Sequence, residues 1–196
     1  MLLTTLNKYA PKLVDKNPNI IDVLADIFSS NIRDDDNLGW LKILSQIFSG
    51  AFFTSFTGRE VDFYLLNNNL NVYLYEFTWP THLFHALDVA GWSPVQHATE
   101  RYYIWMPEKL WDPTIEKGLV NKTDIEIADA FGEFWTHFAK HGNPSLKNQW
   151  APVNSTKIKP YFELGLMQRM RLGYRILDQY VWNEIISDIV SQWPIN

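Results

Sequence analysis

The sequence contains no cysteine. Disulfides and thiolate-ligated metals are therefore excluded, and the usual pointer to an oxidising or reducing compartment is missing. No apolar run approaches the roughly 18 to 20 residues that a helix needs to cross a bilayer. Charge of one sign is not in large excess: 17 Lys and Arg stand against 22 Asp and Glu, a net charge of -5, with the two signs interspersed. Such a chain offers no basic surface for nucleic acid or anionic lipid. Internal repeats and low-complexity tracts are also missing. At the amino terminus, Met1-Leu2-Leu3-Thr4-Thr5-Leu6 reaches Asn7 and Lys8 before an apolar core of about 7 to 15 residues accumulates, so the segment does not read as a signal peptide.

What remains is a chain of 196 residues, 46% hydrophobic and 20% charged, enough to bury a core and to form one domain over residues 1–196. After Pro18 and Asn19, residues Ile20, Ile21, Val23, Leu24, Ile27 and Phe28 recur on one helical face, predicting a helix that ends near Ser30. The acidic run Asp34-Asp35-Asp36-Asn37 predicts a solvated loop whose last members cap the next helix. It lacks the glycine and distal Glu of a calcium loop. Leu41, Ile43, Leu44, Ile47, Phe48, Ala51 and Phe52 continue a helical stripe that is expected to break around 54–58. A shorter helix follows from Glu60 to about Leu66, closed by Asn67-Asn68-Asn69. Residues 72–77, aromatic and branched, predict a parallel strand buried on both faces.

Residues 78–91 form a connection holding His82 and His85, and residues 102–105 a buried aromatic segment stopped by Pro107. Thr123 or Asp124 is expected to cap a helix whose stripe is Ile127, Phe131, Phe134, Trp135 and Phe138, and Gly142 and Pro144 to stop it. Short strand-like pieces fall around 161–164. A last helix over about 174–190 is expected to bury Leu177, Tyr180, Val181, Ile185 and Ile189. His82 with His85, and His137 with His141, have metal-like spacings but lack a third ligand at a zinc-motif spacing, so no metal site and no cofactor are assigned.

His97 stands out for chemistry. It follows the 72–77 strand in the loop Gly91-Trp92-Ser93-Pro94-Val95-Gln96-His97-Ala98-Thr99-Glu100, and an imidazole with an ordinary pKa near 6.5 can take and return a proton at neutral pH. The run Trp92 to Glu100 resembles the histidine loop of the type-B carboxylesterase and cholinesterase family, where Trp precedes His-small-x-Glu. Two further blocks agree in order: Val72-Tyr73-Leu74-Tyr75-Glu76-Phe77 is similar to the family's preceding strand. Phe134-Trp135-Thr136-His137-Phe138-Ala139-Lys140-His141-Gly142-Asn143-Pro144 resembles its helix-ending Trp-x-x-Phe-Ala-Lys-x-Gly-x-Pro signature.

The resemblance implies an α/β class: the C-terminal portion of an α/β-hydrolase fold, helix-rich, with the last sheet strands and otherwise incomplete. It also implies carboxylic ester hydrolysis by serine, acid and histidine, in that chain order. His97 is then the triad histidine, and Glu100 hydrogen-bonds near its loop without moving a proton. The other two members have no counterpart. No Gly-x-Ser-x-Gly occurs, Gly91-Trp92-Ser93-Pro94-Val95 matches only three positions, and neither the acid's strand and Glu-Gly turn nor the glycine-rich oxyanion turns are present.

The expectation is a carboxy-terminal segment that is inactive alone and serves a small ester substrate in an intact protein. The alternative is a neuroligin-like adhesion member that keeps the fold without the nucleophile. The family is commonly secreted, and Asn121-Lys122-Thr123 and Asn154-Ser155-Thr156 are glycosylation sequons in keeping with a secretory parent. Ester identity and oligomeric state are not legible.

Overall fold

A computed structural model describes residues 7–8, 11–29, 32–81, 83, 89–145 and 149–190. In chain order its elements begin with α1 (Pro11–Lys16), α2 (Ile20–Phe28) and α3 (Asn37–Ser49), then a π-helical turn (Gly50–Thr54) running into α4 (Ser55–Leu66). Strand β1 (Tyr75–Phe77), α5 (Arg101–Trp105), α6 (Glu108–Glu116) and α7 (Lys122–His141) follow. Strands β2 (Tyr161–Leu164) and β3 (Arg169–Arg171) precede α8 (Ile176–Tyr180), a second π-helical turn (Val181–Ile185) and α9 (Ile186–Val190). The result is helix-rich with a small mixed sheet. Contacts gather into two compact units, Met1–Phe63 with Arg175–Asn196, and Tyr64–Tyr174.

The first unit is built on Ile20, Leu24, Ile43, Ile47, Ala51, Val181, Trp182 and Ile186, all buried. Full burial of each Ile, Leu or Val side chain contributes about 1.5–3 kcal/mol. Asp36 caps α3 by accepting the Gly39 N–H at 2.8 Å, and Asp35 pairs with Arg33 at 2.6 Å, so the acidic run is a capped, solvated loop as expected. The expected break at 54–58 does not occur. The chain instead widens into the π turn, whose closing Ser55 N–H reaches back to the Gly50 carbonyl, and then resumes as α4. Asn68, at φ 60, lies just past the end of α4.

The last helix also departs from its predicted face. Leu177 and Tyr180 are 39% and 53% exposed, while Asp178, Val181, Trp182 and Ile186 are buried. The true buried face sits one residue further along because Asp178, which an apolar-periodicity reading skips, occupies a core position. Its carboxylate accepts from Thr54 Oγ1 at 2.8 Å and Gln46 Nε2 at 3.4 Å. Beside it, Gln179 donates to the Thr54 carbonyl at 2.6 Å, and Asn183 donates to the Ser55 carbonyl at 3.2 Å and to Gln179 Oε1 at 2.7 Å. The wide turn thus presents carbonyls at Thr54 and Ser55 that side-chain amides satisfy.

The two glycines here are demanded by proximity: a Cβ on Gly50 would stand 2.5 Å from Trp182 Nε1, and one on Gly58 would stand 1.8 Å from Gln179 Oε1.

In the second unit the sheet order is β1-β2-β3, with β1 parallel to β2 and β2 antiparallel to β3. Backbone pairing extends beyond β1, since the Val72 and Leu74 carbonyls accept from Val153 and Phe162 at 2.8 Å each. The parallel pairing was expected, but burial on both faces was not found. Tyr75, Glu76 and Phe77 are all half-buried, because among the described residues β1 pairs on one side only and is an edge. Its aromatic side chains pack onto α7, with Tyr75 edge-on to Trp135 at 5.2 Å and to Phe131 at 6.3 Å.

On α7, Ile127, Phe131 and Phe134 are buried as the stripe predicts, whereas Phe138 is 46% exposed. The cap is Asn121 rather than Thr123 or Asp124. Asn121 Oδ1 accepts from the Asp124 N–H and Asp124 Oδ2 accepts from the Asn121 N–H, a reciprocal capping box. Residues 101–105 are helical, with Tyr103 buried but Trp105 78% exposed.

Two outcomes follow for the first unit. Gly50→Ala forces a methyl into the Trp182 ring and is expected to cost about 1–3 kcal/mol, read as a lower urea midpoint with unchanged slope. Burial is the main influence on Asp178 and raises its pKa above the ordinary carboxylate range, against the opposing hydrogen bonds and Arg175 charge. A carboxyl that binds its proton more tightly when folded loses stability as pH climbs from the unfolded value through the folded one. Asp178→Asn removes that slope, so urea midpoints of the variant should rise relative to wild type as pH increases across this window.

Candidate active site

The loop that follows β1 is held by one buried carboxylate. Asp124, 1% exposed in the first turn of α7, accepts from Trp79 Nε1 and from Tyr103 Oη at 2.7 Å each through Oδ1, while Oδ2 takes the Asn121 N–H at 2.9 Å. Burial first, and then the Asp124 carboxylate, push the Tyr103 phenol far above its ordinary pKa, so it stays a donor. Tyr103 Oη also lies 2.7 Å from Thr81 Oγ1. Because a carboxylate only accepts, the phenol proton goes to Asp124 and the Thr81 hydroxyl donates to Tyr103. Thr81 Oγ1 in turn accepts the Leu83 N–H at 2.9 Å. One chain of hydrogen bonds therefore ties Trp79, Thr81 and Leu83, the helix α5 and the start of α7 together, and such chains polarise one another.

Helix α5 begins where the histidine turn ends. Gly91, at φ 78, turns the chain so that Val89 and Trp92 bridge, and residues 93–96 run on to the turn 97–100. There Thr99, 2% exposed, closes on Gln96 through its hydroxyl at 2.8 Å and its N–H at 3.3 Å. Ala98 is left-handed at φ 62, a conformation that costs any residue bearing a Cβ. His97 itself is exposed on this turn. Glu100 is half-buried and flanks α5, and its charge, after burial, helps raise the Tyr75 phenol on β1. Glu100 thus lies close enough to the strand to couple the turn to it electrostatically.

An exposed imidazole on a fixed turn can exchange protons with whatever is presented to it. Ser93 is exposed on the same loop. His82 and His85 lie outside the described residues. Among the described residues no group of three His, Cys, Asp or Glu side chains converges as a metal site would require. The sequon residues Asn121 and Asn154 are both exposed.

Sequence reasoning named Asp124 only as a possible cap and missed its hold on Trp79 and Tyr103. The spacing of Asn121 and Asp124 signals the capping box, but nothing local signals partners 45 and 21 residues away. Asp124→Ala would leave the Trp79 indole N–H and the Asn121 N–H unsatisfied, at about 1–3 kcal/mol each. The expected readouts are a lower urea midpoint and a shift of the Trp79 indole N–H resonance.

The sequence model described as the Carboxylesterase family matches residues 3–182. Carboxylesterase 3 of Pongo abelii is 25% identical over 152 residues, which cover 76% of this chain and 26% of that protein. The Homo sapiens Carboxylesterase 3 is 24% identical over the same length and the same shares. Neuroligin-2 of Homo sapiens is 24% identical over 138 residues, 60% of this chain and 16% of its own length. The chain therefore spans about a quarter of the length of the carboxylesterases it matches. With the family match covering nearly all of its residues, the chain belongs to the carboxylesterase family.

Proposed function

We propose that this chain supplies the proton-transfer part of a carboxylic ester hydrolase site, with His97 as general base and then general acid. The observation that carries the reading is the exposed imidazole on the turn 97–100, fixed through Thr99, Ala98 and α5 to a strand-loop-helix frame in a carboxylesterase-family chain. In such chemistry the imidazole takes the proton of an attacking serine hydroxyl and returns it to the alcohol leaving group. Glu100 would orient the turn from beside β1.

The 196 residues contain no Gly-x-Ser-x-Gly, so the nucleophile and the oxyanion donors must come from other sequence. An imidazole without them accelerates hydrolysis little, because these groups act as a unit.

If the parent chain enters the secretory pathway, Asn121 and Asn154, both exposed, are its glycan acceptors here. The Neuroligin-2 matches favour a second reading, in which the same frame serves a non-catalytic binding protein.

Two measurements test the reading. The 196-residue chain exposed to a fluorescent organophosphonate should show no labelled serine; strong labelling mapped to one serine would mean that the nucleophile lies within it. In a chimera, this chain replaces the aligned segment of human Carboxylesterase 3, with folding checked by circular dichroism. It should hydrolyse p-nitrophenyl butyrate, and His97→Gln should lower kcat by about 10⁴-fold. A His97→Gln chimera as active as its parent removes His97 from the site and leaves the binding reading.

A further inference from the structure

At the C-terminal end of α7 two imidazoles stand one helical turn apart. The rings of His137 and His141 have centroids 4.5 Å apart and planes 41° apart. From spacing alone no metal site is assigned to them. The geometry adds a feature that spacing alone does not contain. Gly142, left-handed at φ 68, ends the helix with its N–H on the Phe138 carbonyl at 2.7 Å. The chain then turns back so that the Asn143 carbonyl meets His137 Nδ1.

A carbonyl only accepts, so Nδ1 carries the proton and the Nε2 lone pair of the neutral ring is free to bind. Fixing a ligand histidine by a backbone carbonyl at its other nitrogen is the arrangement that metal-binding imidazoles use to set tautomer and basicity. His141 is exposed, so an ion reaches the pair from solvent. The negative end of the 20-residue helix lies at the same place and favours a cation.

We propose that His137 and His141 form a bidentate site for a divalent late transition metal, with copper(II) preferred over zinc. Imidazole nitrogens suit both ions, and a given nitrogen and oxygen donor set binds copper(II) more tightly than zinc. Among the described residues no third His, Cys, Asp or Glu joins the cluster, so water fills the remaining positions. The site is independent of the ester-hydrolase reading and needs no catalytic role. Its immediate effect is to clamp the last turn of α7 to the Gly142–Asn143 stop.

The test titrates copper(II) chloride into the 196-residue chain with glycine as a competing chelator, followed by electron paramagnetic resonance. The expected result is one ion per chain with two imidazole nitrogens, and weaker binding of zinc at the same place. His141→Asn changes an exposed residue and should leave the circular dichroism spectrum unchanged. It should lower copper affinity by at least the roughly 10- to 100-fold that losing even an outer-sphere partner costs. In the metal-free chain, nitrogen-15 spectra should show His137 as the Nδ1–H tautomer. Copper affinity unaltered in both His141→Asn and His137→Asn, coordination from the amino terminus or His82 and His85, or an Nε2–H tautomer at His137 would each overturn the assignment.

Discussion

A buried carboxylate with three donors aimed at it is the constraint on which the second unit rests. Asp124 cannot be dehydrated without partners, because an unpaired buried charge costs several kcal/mol. Its partners come from three separate places: the segment after β1 through Trp79, α5 through Tyr103, and the α7 amino terminus through Asn121. Satisfying one charge therefore fixes three pieces of chain at once. The aromatic contacts that surround it, Phe77 against Tyr103 at 5.5 Å and Tyr103 against Trp111 at 5.8 Å, supply apolar area but little direction. Direction comes from the carboxylate, and through it the histidine turn acquires a fixed base.

The first unit solves a related problem with neutral groups. Two π-helical turns, Gly50–Thr54 and Val181–Ile185, widen the backbone in segments that pack together, with Trp182 against Gly50. Gln179 and Asn183 reach the carbonyls of Thr54 and Ser55, so the pairing of these helices is read by amide geometry as well as by the apolar core. The glycines at 50 and 58 are part of the same solution, since a side chain at either would occupy space that the opposing helix fills.

What could be read from the amino-acid sequence divides along physical lines. Local signals survived: the α2 face through Ile20 and Leu24, the Asp36 cap, the strand around residue 75, the Gly142 stop and the family resemblance. Features set by distant partners did not. The helix continued through 54–58 because a π turn there is completed by Gln179 and Asn183, more than 120 residues away. The last helix was read one residue out of phase because Asp178 looks like a surface residue until Thr54 and Gln46 are seen beside it. The strand was read as fully buried because its composition does not say how many neighbours it has.

The left-handed Ala98 has a consequence of its own. A residue with a Cβ held at φ 62 stores about 1–2 kcal/mol relative to ordinary backbone. That energy sits in the backbone next to His97. The Thr99 closure onto Gln96 and the attached α5 help hold the backbone in that state. A substitution that removes the Thr99 hydroxyl takes away one restraint on Ala98, so the backbone that carries His97 is then freer to relax.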